Sequence, residues 1–194
     1  MCRWAGRWQP QACADLLLLS RLDSGRLELA CEPLDLAQIL PELARQVEPL
    51  ATAQGIAVHA RDVTGTVVAD PTRLRQVLLI VLDNALKHTP AGGSIVLRAN
   101  SDERQVQVQV GDTGCGIAPA DLPHVFERFY RSEQARATGN GNGLGLSIAK
   151  ALVEAMRGQI RLTSVLGQGT TVLLVLPAAP HPERRARTTA DPYR

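Results

Sequence analysis

The stretch 105–110 constrains the fold most, because Val106, Val108 and Val110 alternate there with Gln105, Gln107 and Gln109. Successive side chains of a strand point to opposite faces, so this segment reads as a half-buried strand. A second strand at 94–100 precedes it across the short loop Ser101-Asp102-Glu103, and strands at 160–164 and 170–176 flank the turn Gly167-Gln168-Gly169. Residues 56–60 and 66–69 read as two more short strands. Helical periodicity marks 14–23, closed by Ser24-Gly25, and a second helix capped by Asp35 with Leu36, Leu40, Leu43, Val47 and Leu50 on one side. A third helix runs from Pro71 to about His88, and a fourth carries Leu144, Ile148, Leu152 and Ala155 up to Gly158. Strict βαβ alternation is absent and the strands fall mainly in hairpins. The expected fold class is therefore α+β, a two-layer α/β sandwich with a mixed sheet covered on one face by helices.

Composition narrows what fills that core. The chain has 194 residues, of which 45% are hydrophobic and only 3% aromatic, so the interior must be aliphatic. A net charge of +2 without a dense basic stripe argues against nucleic acid as a partner. Arg184-Arg185-Ala186-Arg187 lies in a Pro-rich stretch and reads as a solvated terminus. Cys2, Cys13, Cys31 and Cys115 are too scattered for a metal site or a disulfide scaffold. No apolar run approaches the roughly 18 residues of a membrane span, and residues 1–13 lack a secretory core. The expected location is cytoplasmic, with no nucleic acid and no membrane span.

Three segments could carry chemistry. On the helix from Pro71, the residues Leu74, Val77, Leu78, Val81 and Ala85 form a core stripe, while Arg73, Ile80, Asn84 and Lys87 form a second one. An amide oxygen at Asn84 can ligate a hard cation and the Lys87 ammonium can neutralise phosphate, although two ordinary surface residues would look the same. Asp112-Thr113-Gly114-Cys115-Gly116 follows a strand, where a carboxylate can accept from an exocyclic amine and glycines admit a flat base. A plain strand-to-turn junction would carry the same residues. Gly139-Asn140-Gly141-Asn142-Gly143-Leu144-Gly145-Leu146 enters a helix directly and offers free amides to an anion. The loop from 112 to about 143 is long for a compact domain, with one short helical patch at 120–126, and such loops tend to be functional. No G-x-x-x-x-G-K-[ST] is present, and Gly141-x-Gly143-x-Gly145 follows a polar loop rather than a strand, so neither a P-loop nor a Rossmann fingerprint applies.

In order, these segments resemble the catalytic ATP-binding domain of bacterial sensor histidine kinases, within the superfamily that includes gyrase and Hsp90. Arg75 to Pro90, with Asn84, Lys87 and His88, is similar to the N box, and Asp112 to Ile117 to the first glycine box. Val125-Phe126-Glu127-Arg128-Phe129-Tyr130-Arg131 resembles the F box, Gly141 to Ile148 the second glycine box, and Gly167-Gln168-Gly169-Thr170-Thr171 the last. The resemblance implies a Bergerat-type fold that binds ATP and Mg2+, with Asn84 on the metal and Lys87 near the phosphates. It implies that Asp112 reads the adenine amino group, with Gly114 and Gly116 shaping the adenine wall. Arg131 and Arg128 would touch the γ-phosphate from a lid hinged by Gly141, Gly143 and Gly145. Asn84, Lys87 and Arg131 are thus the implied catalytic residues, and His88, Ile117, Phe129, Leu144, Leu146 and Thr170 complete the implied ATP-binding set.

Two departures stand out. Ile80 occupies a position where gyrase-like ATPases carry a glutamate and kinases commonly an asparagine, so slow hydrolysis and weakened metal coordination are expected. Met156-Arg157-Gly158 replaces a common His-Gly-Gly. Residues 14–33 resemble the end of the second dimerisation helix and its linker, 34–177 the catalytic domain, and 178–194 a disordered tail, with 1–13 unassigned. His59, His88, His124 and His181 lack the setting of a phosphoacceptor. The resemblance therefore implies an incomplete protein-histidine kinase of a two-component system. It would phosphorylate a dimerisation and phosphotransfer domain supplied in trans, with a response regulator downstream. A truncated, non-catalytic ATP-binding or interaction module and an anti-sigma-factor serine kinase are the alternatives, the F box and leftover helix counting against the second.

Overall fold

A computed structural model describes residues 9–132 and 142–180. The chain opens with α1 (Gln9–Asp23), β1 (Glu32–Asp35), α2 (Leu36–Ala53), β2 (Ala57–Val63) and β3 (Thr66–Ala69). It continues with α3 (Pro71–His88), β4 (Ser94–Ser101), β5 (Gln105–Asp112), α4 (Gly145–Ala155), β6 (Gln159–Val165) and β7 (Gly169–Pro177). Five strands form one sheet in the order β2-β4-β5-β7-β6, with β2 and β4 parallel and every other pair antiparallel. The helices α2, α3 and α4 pack on one face, so the expected two-layer α+β sandwich with a mixed sheet is what the chain forms.

Its local causes are visible in the caps and stripes. The side chain of Asp70 accepts from the Arg73 N–H at 3.0 Å and Pro71 begins α3, the N-terminal arrangement that satisfies an otherwise orphaned amide. The other Asp70 oxygen accepts from the Ala30 N–H at 3.0 Å and so ties the linker after α1 to the start of α3. Asp35 caps α2 through Ala37. Leu74, Val77, Leu78 and Val81 of α3 are buried against Ile95, Leu97, Val106 and Val108 of the sheet. Truncating any one leucine of this core to alanine costs about 2–5 kcal/mol.

One element is absent from the sequence reading and three expectations need correction. Residues 32–35 form β1, paired antiparallel with β3 from Glu32↔Ala69 to Asp35↔Thr66; four residues with a proline are too short to show alternation. Leu50 is 54% exposed and Ala51 takes its place in the core, because the step after Val47 is four residues rather than three. The patch at 120–126 shrinks to the 3-10 turn Leu122–His124. Ala178 and Ala179, expected to open a disordered tail, donate N–H bonds to the carbonyls of Arg104 at 3.0 Å and Thr66 at 2.8 Å. Residues 1–8 and 181–194, including Trp4, Trp8, His181, Tyr193 and the arginine run, lie outside the described residues. No helix among the described residues is long and apolar enough to cross a membrane.

Candidate nucleotide site

The site's first half is built from the ends of strands. Asp112 closes β5, opposite Ile95 of β4 and Thr170 of β7. Its Oδ1 accepts two backbone bonds, from the Gly114 N–H at 2.8 Å and the Thr170 N–H at 3.2 Å. Among the described residues no hydrogen bond reaches Oδ2, which leaves one carboxylate oxygen for a ligand. Burial raises the pKa of Asp112, and the two amides and His88 counter it only in part.

The backbone around this carboxylate is closely interlocked. A Cβ on Gly169, whose φ is +111°, would sit 2.0 Å from the Asp112 carbonyl oxygen, so only glycine permits the approach. One on Gly116 would lie 2.1 Å from the Val165 carbonyl oxygen. The Gly167 N–H donates to the Cys115 carbonyl at 2.7 Å, and the Cys115 N–H to the His88 carbonyl at 3.1 Å. The Ile117 N–H donates to Ser164 Oγ at 2.8 Å. The last glycine turn, the first glycine segment and the end of α3 thus hold one another. A hollow of about 390 Å³ opens beside them, lined by Lys87, His88, Thr89, Pro90, Thr113, Gly114, Cys115 and Gly167. Desolvation lowers the pKa of His88, with Lys87 acting in the same sense and Asp112 and Asp83 opposing it.

The second half lies between two helices. An ideal Cβ on Gly145 would be 3.3 Å from Ile80 Cγ2 and 3.9 Å from Asn84 Nδ2, so the start of α4 faces the second stripe of α3. Among the described residues no side chain caps α4, whose first-turn amides have no intrahelical partners and carry the positive end of its dipole. Asn84 is half-buried, and its side chain makes no hydrogen bond among the described residues. The Asn84 amide could supply one ligand to Mg2+, which takes few protein ligands and keeps waters and phosphate oxygens. No cluster of three or more His, Cys, Asp or Glu side chains offers a metal another home among the described residues.

The cationic side chains are engaged elsewhere. Lys87 pairs with Asp83 one turn back on α3. Arg128 makes a two-pronged contact with Asp23 at the end of α1, at 2.7 and 2.9 Å. Arg131, the last residue of the F-box segment, is half-buried. Phe129 adopts a left-handed backbone, φ +64°, and its N–H donates to the Gly143 carbonyl at 2.9 Å. That bond joins the F-box segment to the second glycine segment, of which Leu144 is buried and Leu146 half-buried. Gly141 lies outside the described residues.

The sequence-derived residues therefore fall into two groups. Asp112, Gly114, Gly116, Ile117 and Thr170 gather at the sheet end, and Asn84 and Gly145 at the helix end, with Lys87 and His88 beside the hollow. Ser164 and Asp83 were not anticipated. Ser164 was reachable from the hairpin around Gly167-Gln168-Gly169, whose register sets it opposite Thr170. Asp83 was reachable as the i−4 partner of Lys87.

Comparison with known proteins shows the family. The family model described as "Histidine kinase-, DNA gyrase B-, and HSP90-like ATPase" matches residues 69–180. The chain belongs to this family. It is the ATP-binding domain of a histidine kinase by kind, and its relatives are consistent with that. It is 37% identical over 166 residues to the sensor histidine kinase CusS of Escherichia coli, covering 85% of this chain and 34% of that protein. It is 35% identical over 176 residues to the sensor histidine kinase RppB of Synechocystis, covering 89% and 38%. The chain thus spans little more than a third of the length of these curated relatives. Among solved structures, full-length ShkA in complex with AMPPNP superposes with a TM-score of 0.77 at 34% identity, covering 88% of this chain and 36% of that one. The mycobacterial sensor histidine kinase MprB gives 0.67 at 33% identity, covering 77% and 100%.

Proposed function

We propose that this histidine-kinase domain binds Mg·ATP in the cleft and passes the γ-phosphoryl group to a histidine on a dimerisation and phosphotransfer domain, within a two-component system in the cytoplasm. The observation that carries this reading is Asp112. Its Oδ1 is fixed by two backbone amides while Oδ2 stays open, the arrangement that accepts an adenine 6-amino group. Gly114 and Gly116 clear the wall for the ring. The uncapped start of α4 and Lys87 receive the phosphates, and Asn84 contributes its amide oxygen to the metal. When bound, Mg2+ neutralises charge on the phosphate oxygens. Arg131, and Arg128 once released from Asp23, supply cationic contacts to the γ-phosphate. Ile80 offers no base to activate water, which leaves transfer to an imidazole nitrogen favoured over hydrolysis. In that transfer a P–N bond forms as the β–γ bridging P–O bond breaks and ADP leaves.

Incubating the chain with radiolabelled ATP and a separately supplied dimerisation domain bearing its histidine is expected to label that histidine. A second reading, a nucleotide-binding module without phosphotransfer, is favoured by Ile80. It prevails if several such domains stay unlabelled while ATP binds. A response regulator that takes the phosphoryl group from the histidine completes the proposed sequence.

A further inference from the structure

We infer that Ser164, on β6 and outside the cleft's recognised motifs, is a positioning residue that tunes adenine recognition by holding the Gly169–Thr170 peptide against Asp112. Ser164 Oγ donates to the Gly169 carbonyl at 2.8 Å. The N–H at the other end of that same peptide plane, on Thr170, donates to Asp112 Oδ1. Hydroxyl and carboxylate therefore grip one peptide from its two sides, and rotation of the plane would weaken both bonds together. Ser164 Oγ also accepts from the Ile117 N–H at 2.8 Å and lies 2.9 Å from Thr170 Oγ1. One donor and two acceptor positions are then used, the full capacity of a hydroxyl. The chain from Ile117 N–H through Ser164 and the peptide to Asp112 is continuous, and bonds in such a chain polarise one another. Gly169 has no lateral freedom to compensate, since its Cα packs against the Asp112 carbonyl.

The inference rests on the proposed reading of the cleft, and its test separates the two. The 194-residue chain is titrated calorimetrically with ADP and with purine-riboside diphosphate, which lacks only the 6-amino group. Wild type is expected to prefer ADP; equal binding of both, or binding of neither, would overturn the adenine assignment to Asp112 itself. Ser164→Ala is expected to weaken ADP about tenfold while changing the purine-riboside nucleotide less than about twofold. Ser164→Thr, which keeps the hydroxyl, is expected to restore the preference. A merely structural role would weaken both nucleotides equally, and that result, an unchanged preference in Ser164→Ala, or a folded threonine variant without preference overturns the inference. Thermal unfolding is recorded alongside. If the alanine variant does not fold, the same ratio is read in Ser164→Cys, where the weaker thiol is expected to reduce the preference and an undiminished one contradicts it.

Discussion

The two ends of the cleft are held in different ways. At the sheet end, Asp112 is fixed by backbone amides of Gly114 and Thr170, and the glycine segments interlock through main-chain bonds. The cationic side chains are instead held by acidic neighbours, Lys87 by Asp83 and Arg128 by Asp23. Backbone bonds between strands cannot be exchanged without opening the sheet, whereas exposed ion pairs are weak and exchange readily. On the proposed reading, the base-reading half would be ready before ligand arrives and the phosphate half would have to trade internal partners for the nucleotide.

The largest effect should come from the ready half. Asp112→Ala removes a charged acceptor and strands two amides, so ATP affinity is expected to fall by about a hundredfold or more in calorimetry. Asn84→Ala is expected to cost about thirtyfold with Mg2+ present and little in EDTA, a split that distinguishes metal ligation from packing. Acid should reach the same carboxylate. The ionised form is the stronger acceptor for an amine, and burial raises the pKa of Asp112. Adenosine affinity is therefore expected to fall as acid protonates Asp112, with the change measured by calorimetry across a pH series. The free domain responds oppositely, because a raised carboxyl pKa means that the folded state binds the proton better, so acidification stabilises it through this group.

Smaller effects probe the exchangeable half and the frame. Asp83→Asn removes the Lys87–Asp83 ion pair and is expected to raise ATP affinity about twofold at low salt, with adenosine unaffected. Equal gains for both would place Lys87 away from the phosphates. Arg157 holds a left-handed φ of +61° at the end of α4. Arg157→Gly is expected to stabilise the domain by about 0.5 kcal/mol in thermal unfolding, without altering either nucleotide contact.

The sequence showed most where periodicity or spacing was strong. The alternation at 105–110 and the Asp70-Pro71 cap gave β5 and α3 nearly to the residue, because a wet face and a helix start both leave local marks. β1 left none, since its pairing with β3 is a tertiary event over four residues. Within the site, Asp112 and Asn84 were legible from their glycine and helix contexts. Ser164 was not, because its importance lies in one peptide plane formed by a neighbouring strand. The pairing of Arg128 with Asp23 joins positions 105 residues apart and no local pattern announces it.

The claim that one end is ready and the other must exchange partners is tested most directly by amide chemical shifts. Adenosine alone is expected to shift Gly114, Ile117 and Thr170 and to leave Gly145 and Leu146 in place, these moving only with Mg·ATP. Adenosine that leaves Gly114 and Thr170 unmoved, or Mg·ATP shifts confined to the outer sheet face around Gln107 and Leu173, would contradict the account.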